Sequence, residues 1–192
     1  MDAGNHSLTV TAVPDENHNG VSRTVRITVN KADSLLAVND VNMDYGSFIM
    51  VPVSFTGATG VTAKICDENL EVSGSEIIIP VMDVGKYSMT VTTIPDKNHN
   101  SVSKTAAVNI NKANSKVTAS DLTAAVGHKL TLNVMVTSFE IINEGAVVFL
   151  YGGVKIGQAN VKGGFATIEY IPLKEGIYPI LAVYNGSSIY KA

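Results

Sequence analysis

The chain has 192 residues, a formal net charge of −3 and a single cysteine, Cys66. The charge is small and forms no basic stripe, which excludes a nucleic-acid partner, and one cysteine excludes an intrachain disulfide. The length suits roughly one or two domains by size alone.

Val, Ile and Thr together supply 57 residues, and their branched side chains fit a pleated surface better than a helix. The 16 Gly and 16 Asn suit tight turns. No stretch keeps a helical period with caps, so an all-β fold is expected.

In chain order, "SLTVTAV" (7–13) and "VSRTVRITVN" (21–30) read as two strands around the loop "PDENHNG" (14–20). Next come "SLLAV" (34–38) and "IMVPVSF" (49–55), where Pro52 predicts an edge position or a bulge. "VTAKIC" (61–66) follows, with Cys66 expected as a small buried hydrophobe. The acidic run "CDENLEVSGSE" (66–76) is expected to be a solvated loop without a catalytic pair. "EIIIPV" (76–81), "YSMTVTTI" (87–94) and "TAAVNIN" (105–111) complete this part. The remainder reads "KVTAS" (116–120), "KLTLNVMV" (129–136), "AVVFLY" (146–151), "VKIGQANV" (154–161), "FATIEYI" (165–171) and "YPILAVY" (178–184). Gly152-Gly153 is expected to be a hairpin turn. Many short strands with turn signals between them fit antiparallel, immunoglobulin-like β-sandwiches with Greek-key connections.

An internal repeat sets the organisation. Residues 1–34 align without gaps to residues 82–115, an offset of 81, with 19 of 34 positions identical. A weaker third copy runs from Glu175 to Tyr190 and keeps the Gly-x-Tyr opening of Gly85-Lys86-Tyr87 as Gly176-Ile177-Tyr178. A Tyr at that corner can bury its ring and bond its hydroxyl to nearby backbone; the first copy has His6 instead. The expected division is 1–31, the last two strands of a truncated domain; 32–112, a complete domain; and 113–192, a domain without its final strand. "NKADS" and "NKANS" mark short junctions without Gly or Pro, which predicts closely coupled neighbours. Met1 has its own counterpart in Met82, so a fragment of a longer array is expected, or a reading frame opened at an internal Met.

Asp15-x-Asn17-x-Asn19-Gly20 resembles the first half of a calcium loop and returns as Asp96, Asn98 and Asn100. An EF-hand needs an acid at its twelfth position, and Arg26 and Ala107 stand there. Each residue also suits a plain turn, so a hairpin tip is expected, with weak calcium binding at these six residues as the alternative. No cofactor is otherwise expected. No zinc spacing, nucleophile elbow or phosphate loop occurs, and no enzyme is expected. Tyr45 and Tyr190 are expected to be the exposed aromatics. The opening residues lack a signal-peptide pattern and no apolar run spans a bilayer, so no membrane contact is expected.

The stretches "DYGS", "SFTGATGVTA" and "TTIPDKNHNSV" resemble the Ig-like repeats of adhesin-like surface proteins of methanogenic archaea. The last part, "LTAAVGHKLTLNVMVTS" onward, resembles bacterial Ig-like domains found in tandem on cell surfaces. This resemblance implies an extracellular, cell-surface location and a non-catalytic stalk that presents a distal adhesive region. The alternative is a module that binds a surface glycan or protein through loops of the last domain. Partners are then neighbouring repeats of the parent chain. The hairpin Leu8–Val29 is marginal alone, and Thr24–Asn30 is expected to add to the open edge of another chain's last domain, head to tail.

Overall fold

A computed structural model describes residues 1–192, and every regular element is a β-strand. Strands β1 (Gly4–Ala12) and β2 (Val21–Val29) pair antiparallel, with Leu8 opposite Val25 and Val10 opposite Arg23. Alternation puts His6, Leu8, Val10, Val25 and Ile27 on one face. The other face is a polar ladder. Thr9 and Thr24 share a hydroxyl bond of 3.0 Å, Thr11 and Ser22 one of 2.8 Å, and Thr28 donates to Asn5. These strands form a sheet of two, and the apolar face lies in the open: Leu8 is 51% and Val10 58% exposed.

The next strands are β3 (Ala32–Asp33), β4 (Leu35–Val38), β5 (Val41–Asp44), β6 (Ile49–Thr56), β7 (Ala58–Ile65), β8 (Glu68–Ser73), β9 (Glu76–Ile79), β10 (Gly85–Pro95), β11 (His99–Asn100) and β12 (Ser103–Asn111). Eight of them follow one order, β4-β6-β9-β8-β7-β10-β12-β5. Strand β9 pairs with both β6 and β8, so hydrogen bonding runs on from one layer of strands to the other. Pro52 faces Glu76 where β6 changes partner, pairing with β9 through Pro52 and with β4 from Val53. A residue without an N–H fits that handover. The core-facing residues Met89, Val91, Ile77, Ile79 and Val108 are fully buried. Met89, Val91 and Val108 are the repeat counterparts of Leu8, Val10 and Ile27.

Two expectations are corrected here. The acidic run is not a loop. Its residues 68–73 form β8, paired to β7 with Ala63 opposite Leu70 and Ile65 opposite Glu68. The strands join through Cys66 and Asp67, both at positive φ (49° and 66°). Cys66 is therefore exposed, not buried: Ile65 ends the core-facing row and the left-handed turn swings the next side chain out. Strand β5, which no alternation announced, buries Val41 and Met43.

The last strands are β13 (Lys116–Ala119), β14 (Leu130–Thr137), β15 (Ala146–Tyr151), β16 (Val154–Asn160), β17 (Phe165–Tyr170) and β18 (Ile180–Tyr184). They form two sheets, β13-β14-β17 and β16-β15-β18, around Val134, Val136, Val147, Phe149 and Tyr184. Tyr151 faces Val154 across Gly152 and Gly153, whose φ values of 55° and 80° give the two-residue hairpin turn expected there. The chain gathers into two compact units, one of residues 1–41, 49–79 and 87–108, the other of residues 42–48, 80–86 and 109–192.

The two copies of the repeat should respond unequally to truncation at equivalent positions. Met89→Ala should cost about 2–5 kcal/mol in denaturant unfolding, and Leu8→Ala, on the open face, should stay within about 0.5 kcal/mol.

Candidate functional site: the junction loops

The two Pro-Asp-x-Asn-His-Asn loops share one local design. In the first, Asp15 accepts from the Asn17 amide (2.8 Å) and the His18 ring (2.8 Å). In the second, Asp96 Oδ1 accepts from the amides of Asn98 (2.7 Å) and His99 (2.8 Å) and from His99 Nδ1 (2.8 Å). These are Asx-type turns, in which the short carboxylate stands in for a backbone carbonyl. The bond from His99, then that from the Asn98 amide, holds Asp96 below the usual carboxylate range. At Asp15 the Asn17 amide acts first and His18 second, in the same direction.

What surrounds the loops differs. Asp15, Asn17 and Asn19 stand in solvent. In the second loop, His99 and Asn100 form β11 and pair in parallel with Ala32 and Asp33 of β3. The Ala32 amide donates to Asn98 O (3.0 Å), and the Ser34 amide to Asn100 O (3.2 Å). The buried Ser34 hydroxyl donates to Gly57 O (2.7 Å) and lies 2.8 Å from Asn100 O. The Asn100 amide group donates to Asp33 (3.0 Å). The preceding repeat docks on the same loop. Ala3 N donates to Asn98 Oδ1 (2.8 Å), Lys97 pairs with Asp2 (2.8 Å), Asn98 Nδ2 donates to Asp2 (3.1 Å), and Lys31 Nζ reaches Asp96 O (3.4 Å). The chain thus enters a repeat against the loop that will close it.

The same joint is built a second time. The Gly-x-Tyr openings at Gly85 and Gly176 set an offset of 91, which places Ile189, Tyr190 and Lys191 at the positions of Asn98, His99 and Asn100. Ala113 pairs in parallel with Tyr190, its amide donates to Ile189 O (2.8 Å), and the Lys191 amide donates to Ala113 O (2.8 Å). Ser115 Oγ donates to Lys191 O (2.8 Å), and Lys112 Nζ donates to Ser187 O, as Lys31 does to Asp96 O. Lys191 Nζ also donates to Asn114 Oδ1 (3.0 Å).

Two glycines make room for ring contacts at these joints. A Cβ on Gly57 (φ 71°) would sit 2.6 Å from the His99 ring, and one on Gly46 (φ 86°) 2.1 Å from the Phe139 ring. Phe139 in turn lies between Tyr45 and Tyr190, with ring centres 6.0 and 6.4 Å apart. Gly57 of "SFTGATG" and Gly46 of "DYGS" therefore belong to the joints.

Tyr190 is not exposed, as the sequence suggested, but 2% accessible, and Tyr45 is half-buried. The parallel bridge to Ala113 pulls the chain end inward, and the Tyr190 hydroxyl donates to Glu140 (2.6 Å). Burial, then that carboxylate, pushes the phenol well up from its ordinary range. Tyr178 makes the expected corner bond, its hydroxyl donating to Lys174 O (2.8 Å). His6 reproduces it with a ring nitrogen 2.7 Å from Asp2 O, also four residues back. No spacing pointed to a cluster of Tyr151, Tyr170 and Tyr178, with Tyr178 centred 5.1 and 6.0 Å from the other two rings. No three His, Cys, Asp or Glu side chains converge as metal ligands would.

Residues 117–192 match the family model of the bacterial Ig-like domain (group 3). No curated protein matches the chain significantly. Among solved structures, the chain is similar to the fibronectin(III)-like modules of Clostridium thermocellum CbhA, at 15% identity over 79% of this chain and 86% of that one, with a TM-score of 0.35. It is also similar to an Ig tandem of titin, at 11% identity over 73% and 95%, TM-score 0.32. A third is the Bacteroides ovatus mixed-linkage glucan utilization locus protein SGBP-B, in complex with a heptasaccharide, at 18% identity over 96% and 44%, TM-score 0.33. The fold is all-β and Ig-like, mostly antiparallel.

Because Asp96 is stabilised as a carboxylate, its bonds support the fold above the unfolded Asp value of about 3.9 and lose that support as pH falls through the lower folded value. Asp96→Asn should lower the melting temperature at pH 7, and the gap to the unsubstituted chain should close in strong acid. With Asp96 Oδ1 and Asn98 Oδ1 already engaged, calcium and a chelator should give the same melting temperature; a rise with calcium would restore the ion-binding reading.

Proposed function

We propose that the chain is a non-catalytic spacer of a cell-surface adhesin-like protein, of the kind found in methanogenic archaea, with Ig-like segments 1–31, 32–112 and 113–192. The observation that carries this reading is the joint built twice from the same backbone pairing. A spacer needs each repeat to be held closed where the chain enters it. Binding or catalysis would not require the Ala32 and Ala113 junctions to be alike. The short junction sequences support the same reading. The resemblance of the repeats and the family match of residues 117–192 support a surface location.

Pulling single chains from their two ends tests the mechanical part. Discrete unfolding steps are expected, with Ala113→Pro lowering the force of one step because it removes the Ala113 amide from the joint. Smooth extension at low force would refute a spacer. Antibody to residues 113–192 should label intact cells that carry the parent protein; labelling only after permeabilisation would refute the surface location.

One observation favours a second reading, a glycan-binding module. Tyr151, Tyr170 and Tyr178 gather beside a loop with exposed Leu173 and Ile177, and aromatic faces of this kind stack on sugars. Retardation of the chain in gels containing soluble polysaccharide, lost in Tyr178→Ala, would support it; no retardation removes it.

A further inference from the structure

The joint at Ala113 brings an amine, a carboxamide and a carboxylate together. The parallel bridge of Ala113 to Tyr190 sets Asn114 beside Lys191, the next residues in register. Lys191 Nζ lies 3.0 Å from Asn114 Oδ1, the oxygen bonded to the carboxamide carbon. Asp44, at the end of β5, faces both groups. Its Oδ1 is 3.8 Å from Lys191 Nζ, and its Oδ2 accepts from Asn114 Nδ2 at 3.4 Å. All three residues belong to the unit of residues 42–48, 80–86 and 109–192.

Backbone bonds hold each of the three in place. The Lys191 amide donates to Ala113 O (2.8 Å), and Lys191 O accepts from Ser115 Oγ (2.8 Å). Asn114 O accepts from Ser138 Oγ (2.7 Å). Asp44 O accepts from the Ser47 amide (3.2 Å), and the Tyr45 amide beside it donates to Asn111 O (2.8 Å). Asp44 and Asn114 line one cleft with Tyr45 and Phe139, so aromatic rings border it on one side. The Lys191 and Asp44 side chains are 45% and 40% exposed, which leaves a way out for a small product.

We propose that Lys191 and Asn114 join through a covalent amide bond, with Asp44 carrying the protons. Asp44 takes a proton from the Lys191 ammonium, and the freed amine attacks Asn114 Cγ to form a C–N bond. The bond from Cγ to Nδ2 then breaks. The two protons shed by Nζ leave with Nδ2 as ammonium, passed on by Asp44, which ends as the carboxylate it began as. The balance closes with no change of oxidation state. Holding the reactants in register makes the step intramolecular, and it has to occur only once per molecule. The first joint lacks this chemistry: its equivalent pair is Asn100 and Asp33, which has no amine. The bond deepens the spacer reading, on which its use rests, because it closes the last segment covalently where the chain enters it.

Mass spectrometry of the folded 192-residue chain tests this. The chain should weigh one ammonia less than its sequence, and trypsin should release a branched peptide that joins residues 113–116 to residues 175–192. Lys191→Arg keeps the positive charge without the amine, and it should fold and carry its full mass. Asp44→Ala should give no branched peptide in the time the unsubstituted chain takes to complete it. A folded chain at full sequence mass overturns the proposal. So does loss of ammonia with linear peptides only, the result expected from cyclisation at Asn19-Gly20 or Asn185-Gly186. Branched peptide formed by Asp44→Ala at the unsubstituted rate would overturn the role of Asp44. A negative result strikes the crosslink alone, because the spacer reading stands on the hydrogen bonds of the joints.

Discussion

A short parallel pairing, two residues long at Ala32-Asp33 on His99-Asn100 and a single bridge at Ala113 on Tyr190, is the constraint on which the rest of the structure depends. It binds the first residues of a repeat to the loop that closes that repeat. A segment that short has few interactions of its own, so its amides must find carbonyls nearby, and the closing loop supplies them. Once the loop is fixed there, its other groups are fixed too. Asp96 caps the amides that shape the turn, Gly57 stays bare because His99 lies over it, and the buried Ser34 hydroxyl donates to Gly57 O beside the carbonyl of Asn100.

The first and second copies of the loop show how context assigns a role to one sequence. Both fold the same turn from the same Asp and His. At the second, β3 and the preceding repeat lie against the loop, and there each of Asp96, Lys97, Asn98 and Asn100 has a partner beyond the turn itself. A motif that looks like half of an ion site is thereby drawn into backbone recognition. At the other joint, the equivalent positions are Ile189, Tyr190 and Lys191, with the backbone bonds kept and the side chains replaced. The joint is a property of main-chain geometry, and side chains adjust its packing.

Much of this was legible. Alternating β-branched residues marked most strands, from β6 to β18, and Gly152-Gly153 marked its turn, because those signals are local. The repeat marked β2 as a strand of the same kind as β12. What could not be read was set by distant partners. Val41 and Met43 become strand residues only because β12 lies beside them. Glu68–Ser73 carries exposed acids and a left-handed turn, which resemble a loop until β7 and β9 take both edges. Tyr190 lies near the chain end and reads as exposed, yet the bridge to Ala113 buries it. The tyrosines at 151, 170 and 178 sit on different elements, and no spacing in the sequence brings them together.

Hydrogen exchange at single amides tests the joint most directly. The amides of Ala32, Ser34 and Ala113 donate to the closing loops and that of Lys191 donates from its loop to Ala113 O, so they should be protected on the scale of the core strands, while Asn17 in the open first loop should exchange rapidly. Exchange at Ala32 and Ala113 as fast as at Asn17 would mean that the joints do not hold in solution, and the spacer reading would lose its foundation.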